Sequence, residues 1–165
     1  MTLTSTCHAR VLLSGIQFDH PDLKPVQNGK NCLNPLQTAA DDAGHGTHVA
    51  GTIAARDNAI GVVGVAPAAT LYAVKVLDST GHGTWSSVIC GVDWVTANAA
   101  AKGIRVANMS LGGNGTVTPS NANCSNGNSD ALHTAVCNSV KAGITYVVAA
   151  GNSAANASNF VPAAY

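Results

Sequence analysis

The 165-residue chain contains no glutamate, and charged side chains make up only 10% of it, where about 25% is usual for a soluble domain. Eight aspartates balance eight lysines and arginines. That balance leaves no basic stripe to follow a phosphate backbone, which argues against a nucleic-acid partner. No apolar run approaches the roughly 18 residues that span a bilayer, and the start lacks the basic-then-apolar order of a secretory signal peptide. A soluble chain with no membrane partner is expected. What the sequence does have is 46% apolar residues, enough for a sizeable interior, over a length that suits one domain with one core. Coiled coil, disordered tail and halophile-like acidity are excluded by the same numbers.

Five cysteines are an odd number. In an uncharged chain rich in Asn, Ser, Gly and Ala they suit an oxidising compartment, where one or two bridges form and one thiol is left over. Cys124 and Cys137 bracket a polar loop and the first turns of a helical pattern, so they are the first pairing expected. Cys32 with Cys90 is the second, which leaves Cys7 unpaired. The alternative is that all five are reduced, buried, small hydrophobes.

Short β-branched runs alternate with longer helical patterns, the signature of a parallel α/β sheet. Strands are expected over Arg10–Leu13, Leu71–Leu77, Gly103–Met109 and Ile144–Ala150, and their near-continuous apolar character fits strands covered on both faces. A helix is expected from His45 to Ala55. A second carries Trp85, Val88, Ile89, Val92 and Val95 on one face. In the third, Leu132, Ala135, Val136, Ser139 and Val140 line one side, Ser129 or Asp130 caps the start, and Gly143 stands where a left-handed C-terminal cap belongs. Right-handed crossovers put the functional loops at the carboxyl ends of the strands. The Asn- and Ser-rich stretch 118–130 reads as a surface loop or insertion.

The segment Gly44-His45-Gly46-Thr47-His48-Val49-Ala50-Gly51-Thr52 is the most informative. A histidine that opens a helix between small residues is accessible and rigidly mounted over Val49 and Ile53, which suits a proton-transfer base. Taken alone, His45 and His48 at i and i+3 also suit metal ligation, or simple capping and packing.

The segment His45–Thr52 resembles the histidine signature of the subtilisin-like serine proteases. The likeness continues, in family order and spacing, through Ile60-Gly-Val-Val-Gly-Val-Ala-Pro67, Tyr72-Ala-Val-Lys-Val-Leu77, Ala107-Asn-Met-Ser-Leu-Gly-Gly113, Ala149-Ala-Gly-Asn152 and Val161-Pro-Ala-Ala-Tyr165. It implies an α/β fold, a three-layer α/β/α sandwich around a parallel sheet, truncated at its C-terminal side, over residues 11–165. Residues 1–10 are expected to be a non-family N-terminal segment. By the same resemblance His45 is the general base and Asn152 the side-chain donor to the oxyanion. Gly81, His82 and Gly83 and, opposite them, Ser110, Leu111 and Gly112 would pair with the substrate backbone, while Ala149, Ala150 and Gly151 would line the primary specificity pocket. The partner implied is a peptide or protein substrate, and the setting extracellular. Structural calcium is implied as well, held by the Asn58 side chain, the carbonyls of Arg56, Ile60 and Val62, and the Asp22 carboxylate, an all-oxygen set of the kind a hard cation needs.

Two departures from the family pattern matter. Leu13 stands where the family has the aspartate that accepts the histidine's second N–H, and leucine can neither orient an imidazole nor offset its charge. No serine lies in the Gly-Thr-Ser-Met-Ala context of the family's nucleophile; Ser110 and Ser153 match binding and flanking positions instead. Asp19, Asp41 and Asp42 read as solvated loop acids. A shifted reading frame or artificial start that rejoins the family frame near Ser14 would produce both Leu13 and the unfamiliar first ten residues. Three readings follow: part of a serine endopeptidase with little activity of its own, a pseudoprotease that binds peptides, or an unorthodox hydrolase using His45. An incomplete sheet also leads to the expectation of self-association through its exposed edge.

Overall fold

The first apolar run folds as β1 (His8–Leu13) and takes the middle of a five-stranded parallel sheet. The computed structural model describes residues 8–23, 26–67, 69–117, 124 and 130–165, so Cys7 and most of the 118–130 stretch lie outside the described residues. β3 (Thr70–Lys75) and β4 (Ile104–Met109) flank β1, while β2 (Val26–Asn31) and β6 (Thr145–Val148) form the edges, giving the order β2-β3-β1-β4-β6. All four pairings are parallel. Val11, Leu12 and Leu13 are fully buried, as a strand covered on both faces requires. β1 starts at His8, inside the segment set apart as residues 1–10, so its last three residues belong to the fold.

Three helices cover the sheet: α1 (His45–Ala54), α2 (Trp85–Asn98) and α3 (Ala131–Lys141). α2 lies so close that a Cβ on Gly91 would come within 2.7 Å of Val76 and 3.2 Å of Leu12 and Val74. Val11 and Leu13 alternate to the other face, and α1 packs against β1 and β3. α2 opens on a reciprocal capping box between Thr84 and Ser87, and α3 on Asp130, whose carboxylate accepts from the N–H groups of Leu132 and His133. Gly143, at φ +87°, follows the end of α3 in the left-handed conformation that its position predicted.

The structure corrects several expectations. β2, of sequence Val-Gln-Asn-Gly-Lys-Asn, was not foreseen, nor was the antiparallel pair β5 (Gly113–Asn114) and β7 (Phe160–Val161). Val140 is 47% exposed rather than on the inward face of α3, because that face centres on Leu132, Ala135, Val136 and Ser139 and takes in His133 and Cys137 at its flank. Trp85 is 42% exposed. Disulfides join Cys124 to Cys137 and Cys32 to Cys90, the two pairings expected. Among the described residues no helix is long and apolar enough to cross a membrane.

Candidate active site

Segments that leave the carboxyl edge of the sheet meet in one region, as is usual for parallel sheets. β1 ends at Leu13 and passes into Ser14 and Gly15; β3 passes through Val76 and Leu77 into Gly81–Gly83; β4 leads into Ser110–Gly112, and β6 into Ala149–Asn152. A cavity of about 610 Å³ opens between them. It is lined by His45, Gly81, His82, Gly83, Ser110, Leu111, Gly112 and Asn152, and also by Leu77, Thr84, Trp85, Val88 and Gly113. Eight of the residues singled out in the sequence thus meet in one groove. Ala149, Ala150 and Gly151 do not line it, although the Ala149 N–H donates to the Met109 carbonyl at 3.2 Å and so ties their segment to β4. Ser153 is absent from the lining as well.

His45 owes its position to the seating of α1. The Ser14 hydroxyl accepts from the Gly46 N–H at 2.9 Å, and the helix start rests directly on the backbone of Gly15. Asp41 acts as a cap from outside the helix: Oδ1 accepts from the N–H groups of Ala43 and Gly44, and Oδ2 from the N–H and hydroxyl of Thr47. Asp41 is therefore no solvated loop acid. Asp42 is a solvent-exposed loop acid as expected, and it also forms an ion pair with Lys75; that buried ammonium further donates to the carbonyls of Ser14 at 2.7 Å and Leu77 at 2.9 Å. One lysine so binds the exits of β1 and β3 to the loop that precedes α1. Asp19 accepts from the Gln17 amide, in keeping with a solvated loop acid. Among the described residues no hydrogen bond or ion pair holds the side chain of His45 or Asn152, and both residues line the groove.

Burial alone would raise the Asp41 pKa, but hydrogen bonds from Thr47 and Ser14 and from the helix N–H groups outweigh it and hold the carboxyl below its ordinary 3.8. A group held lower in the folded than in the unfolded chain contributes stability that is present above the unfolded value and is lost as pH falls through the folded one. Asp41→Asn is expected to cost about 1–2 kcal/mol at pH 7 and progressively less as pH is lowered into the acid range. Urea unfolding across that range checks this, and a penalty unchanged by pH would show that charge is not what Asp41 contributes.

In the loop that brings His82 to the groove, Asp78 Oδ1 accepts from the N–H of Thr80, the N–H of His82 and the Thr80 hydroxyl. The hydroxyl foremost, with the backbone donors, holds the Asp78 pKa at about 2. Since the single Thr80 hydroxyl proton goes to Asp78, the 3.0 Å contact to His82 Nδ1 is donated by the imidazole. Trp85 lines the same groove, its ring edge 2.9 Å from where a Cβ of Gly113 would stand.

The residues expected to hold calcium also meet. The Asp22 carboxylate is 5% exposed; Oδ1 accepts from the Asn58 amide at 2.7 Å, and Oδ2 lies 2.5 Å from where a Cβ of Gly61 would be. Arg56 N–H donates to the Asp22 carbonyl, and Ile60 N–H to Asn58 Oδ1. Among the described residues the one ion pair is Lys75–Asp42, so no side-chain cation offsets this buried carboxylate. A buried carboxylate with no cationic partner, beside the Asn58 side-chain amide in a tight loop, has the oxygen chemistry that fits a hard cation.

A profile of the Subtilase family matches residues 10–165, and the chain belongs to that family. Subtilisin DY of Bacillus licheniformis is 45% identical over 148 residues, 90% of this chain and 48% of its own length. Subtilisin E of Bacillus subtilis is 46% identical over 158 residues, 93% of this chain and 36% of its own. Among solved structures, a cold-adapted subtilisin-like serine proteinase superposes with a TM-score of 0.76 at 35% identity, covering 94% of this chain and 50% of that one. The chain spans half or less of the length of these relatives.

Proposed function

We propose that this chain carries the base, the oxyanion donor and the peptide groove of a secreted subtilisin-like serine endopeptidase, a hydrolase of peptide bonds. The observation that supports the reading is the single groove shared by His45, Asn152, Gly81–Gly83 and Ser110–Gly112. A peptide laid between those two segments pairs with them as an added strand, with main-chain hydrogen bonds supplying affinity and little regard for side chains. His45 takes the proton of an attacking hydroxyl and returns it to the leaving amine. The Asn152 amide donates to the oxyanion; deleting such a donor costs about 3–4 kcal/mol of transition-state binding. Leu13, apolar and fully buried, leaves the second ring nitrogen of His45 without its carboxylate, a loss worth about 10⁴-fold in turnover. With no serine in the nucleophile's sequence context, these 165 residues bind peptide without cleaving it.

Anisotropy of labelled extended peptides tests the groove. Saturable binding is expected, weakened about tenfold or more when the peptide backbone is N-methylated, since each tenfold is about 1.4 kcal/mol of lost hydrogen bonding. Absence of binding would sink the groove reading. Hydrolysis of a chromogenic peptide that His45→Ala abolishes would replace binding alone by catalysis.

We further propose that calcium is held by Asp22, Asn58 and the carbonyls of Arg56, Ile60 and Val62. When bound it neutralises the buried Asp22 and cross-links the loop to the segment before β2. At a hundred times its dissociation constant it is expected to add about 2.7 kcal/mol of stability. Thermal unfolding with calcium and with chelator checks this: the difference should vanish in Asp22→Asn, and a difference that persists there would move the site elsewhere.

A further inference from the structure

Outside the residues that line the groove, the start of α3 gathers a second set of reactive groups. His133 and Cys137 stand one helical turn apart, at i and i+4, and so project from the same side of α3. His133 is 2% exposed and Cys137 4%. Cys124 reaches them from the loop before the helix and is exposed. The two sulfur atoms and an imidazole nitrogen all lie within 4.8 Å of one another. A cavity of about 350 Å³ opens beside them, lined by all three residues together with Tyr146 and Tyr165. The helix that mounts two of the three is anchored: Asp130 caps its first turn and accepts from the Tyr165 hydroxyl at 2.7 Å, and the Tyr165 ring stacks on His133 at 4.3 Å.

We propose that Cys124, His133 and Cys137 form a redox-gated site for a thiophilic transition metal such as zinc, closed while the disulfide is intact and opened by a dithiol reductant. A thiolate of the dithiol attacks Cys124, the exposed sulfur. The Sγ–Sγ bond breaks and its electron pair leaves on Cys137 as a thiolate, one helical turn from His133. The second thiol of the reductant then displaces Cys124 and leaves as its own cyclic disulfide. Two electrons and two protons have passed to the protein in total. Two sulfurs and one imidazole are the donor set of a Cys₂His zinc site, and the adjoining cavity leaves room for a fourth, exogenous ligand. Metal binding displaces the thiol protons to solvent. The disulfide Cys32–Cys90 takes no part.

The test uses the full chain, reduced with a phosphine until Cys124 and Cys137 react with a thiol reagent, and Co²⁺ as the probe. One Co²⁺ per chain with a sulfur-to-cobalt charge-transfer band is expected, displaced by Zn²⁺, with no band from the oxidised protein. Cys124→Ser should lose the band, and His133→Gln should weaken binding while leaving sulfur ligation in place. Absence of the band after reduction, or a band unchanged in Cys124→Ser, overturns the site. X-ray absorption at the zinc edge is the second readout and does not depend on any variant folding. A shell of two sulfurs with one imidazole supports the assignment; a shell lacking sulfur, or one with additional sulfurs from the other cysteines, overturns it.

Discussion

Gly46→Ala is expected to lower folding stability by about 3 kcal/mol and to abolish peptide binding, although alanine is the better helix former. Inside a helix the exchange alone would gain up to about 1 kcal/mol. Here the new Cβ would stand 2.0 Å from the carbonyl oxygen of Gly15. Gly15 cannot yield: its own φ is +111°, and the space where a side chain would go is filled by the backbone of Ala39 and Ala40 at 2.5–2.7 Å. Its neighbours are tied down too, Ile16 N–H to the Ala39 carbonyl and Asp41 N–H to the Ile16 carbonyl. Relief must come from lifting the first turn of α1, which breaks the bond to Ser14 and swings His45 out of the groove. Overpacking of this kind costs about 1–3 kcal/mol, and more against backbone than against side chains. Gly51→Ala is the matched control on the same helix, since a Cβ there meets nothing within 4 Å, and it should be neutral or stabilising. Equal urea midpoints for the two variants would show that α1 is not seated on Gly15.

That close approach also shows how the site is put together. His45 was legible because its flanking glycines and the blocks downstream follow a known family pattern, and the strands β1, β3, β4 and β6 were legible because strands buried on both faces read as apolar runs. β2 was not. Its six residues include only one apolar side chain, and it is a strand because β3 offers a free edge, a tertiary fact that no local propensity encodes. The two-residue strands β5 and β7 are equally silent, since each exists only through the other.

The capping role of Asp41 and the ion pair of Asp42 were not legible, for a related reason. Three and four residues ahead of a helix, an acid is ordinarily solvated; these two are held because the loop turns back so that Thr47 and Lys75 reach them. Helical spacing puts Trp85 on the apolar face of α2 with Val88 and Val92, yet it sits in the first turn, where the helix borders the groove and the ring lines it. In each case the residue type was informative and the partner, distant in sequence, decided the role.

Removing the Cys32–Cys90 bridge is expected to be the most destabilising of the changes considered. It links the end of the polar edge strand β2 to the middle of α2 across a sequence separation of 58 residues. In the chain-entropy account a closure of that length contributes about 4 kcal/mol, against about 3 kcal/mol for the 13-residue separation of Cys124 and Cys137. Domains of this kind are stable by about 5–15 kcal/mol in all, so Cys32→Ala with Cys90→Ala should lower the Tm by roughly 8–16 °C at about 2–4 °C per kcal/mol. The loss is also expected to be local before it is global. β2 buries little apolar area of its own and is held by its ladder to β3, by the Cys32 N–H bond to the Lys75 carbonyl at 2.9 Å, and by the bridge. Hydrogen exchange of β2 amides should therefore accelerate far more than that of Val11, Leu12 and Leu13 in β1, which are fully buried. A variant in which both strands exchange at unchanged rates, with a Tm no lower than that of Cys124→Ala with Cys137→Ala, would mean that β2 is held by its pairing alone, with the bridge contributing nothing to the native sheet.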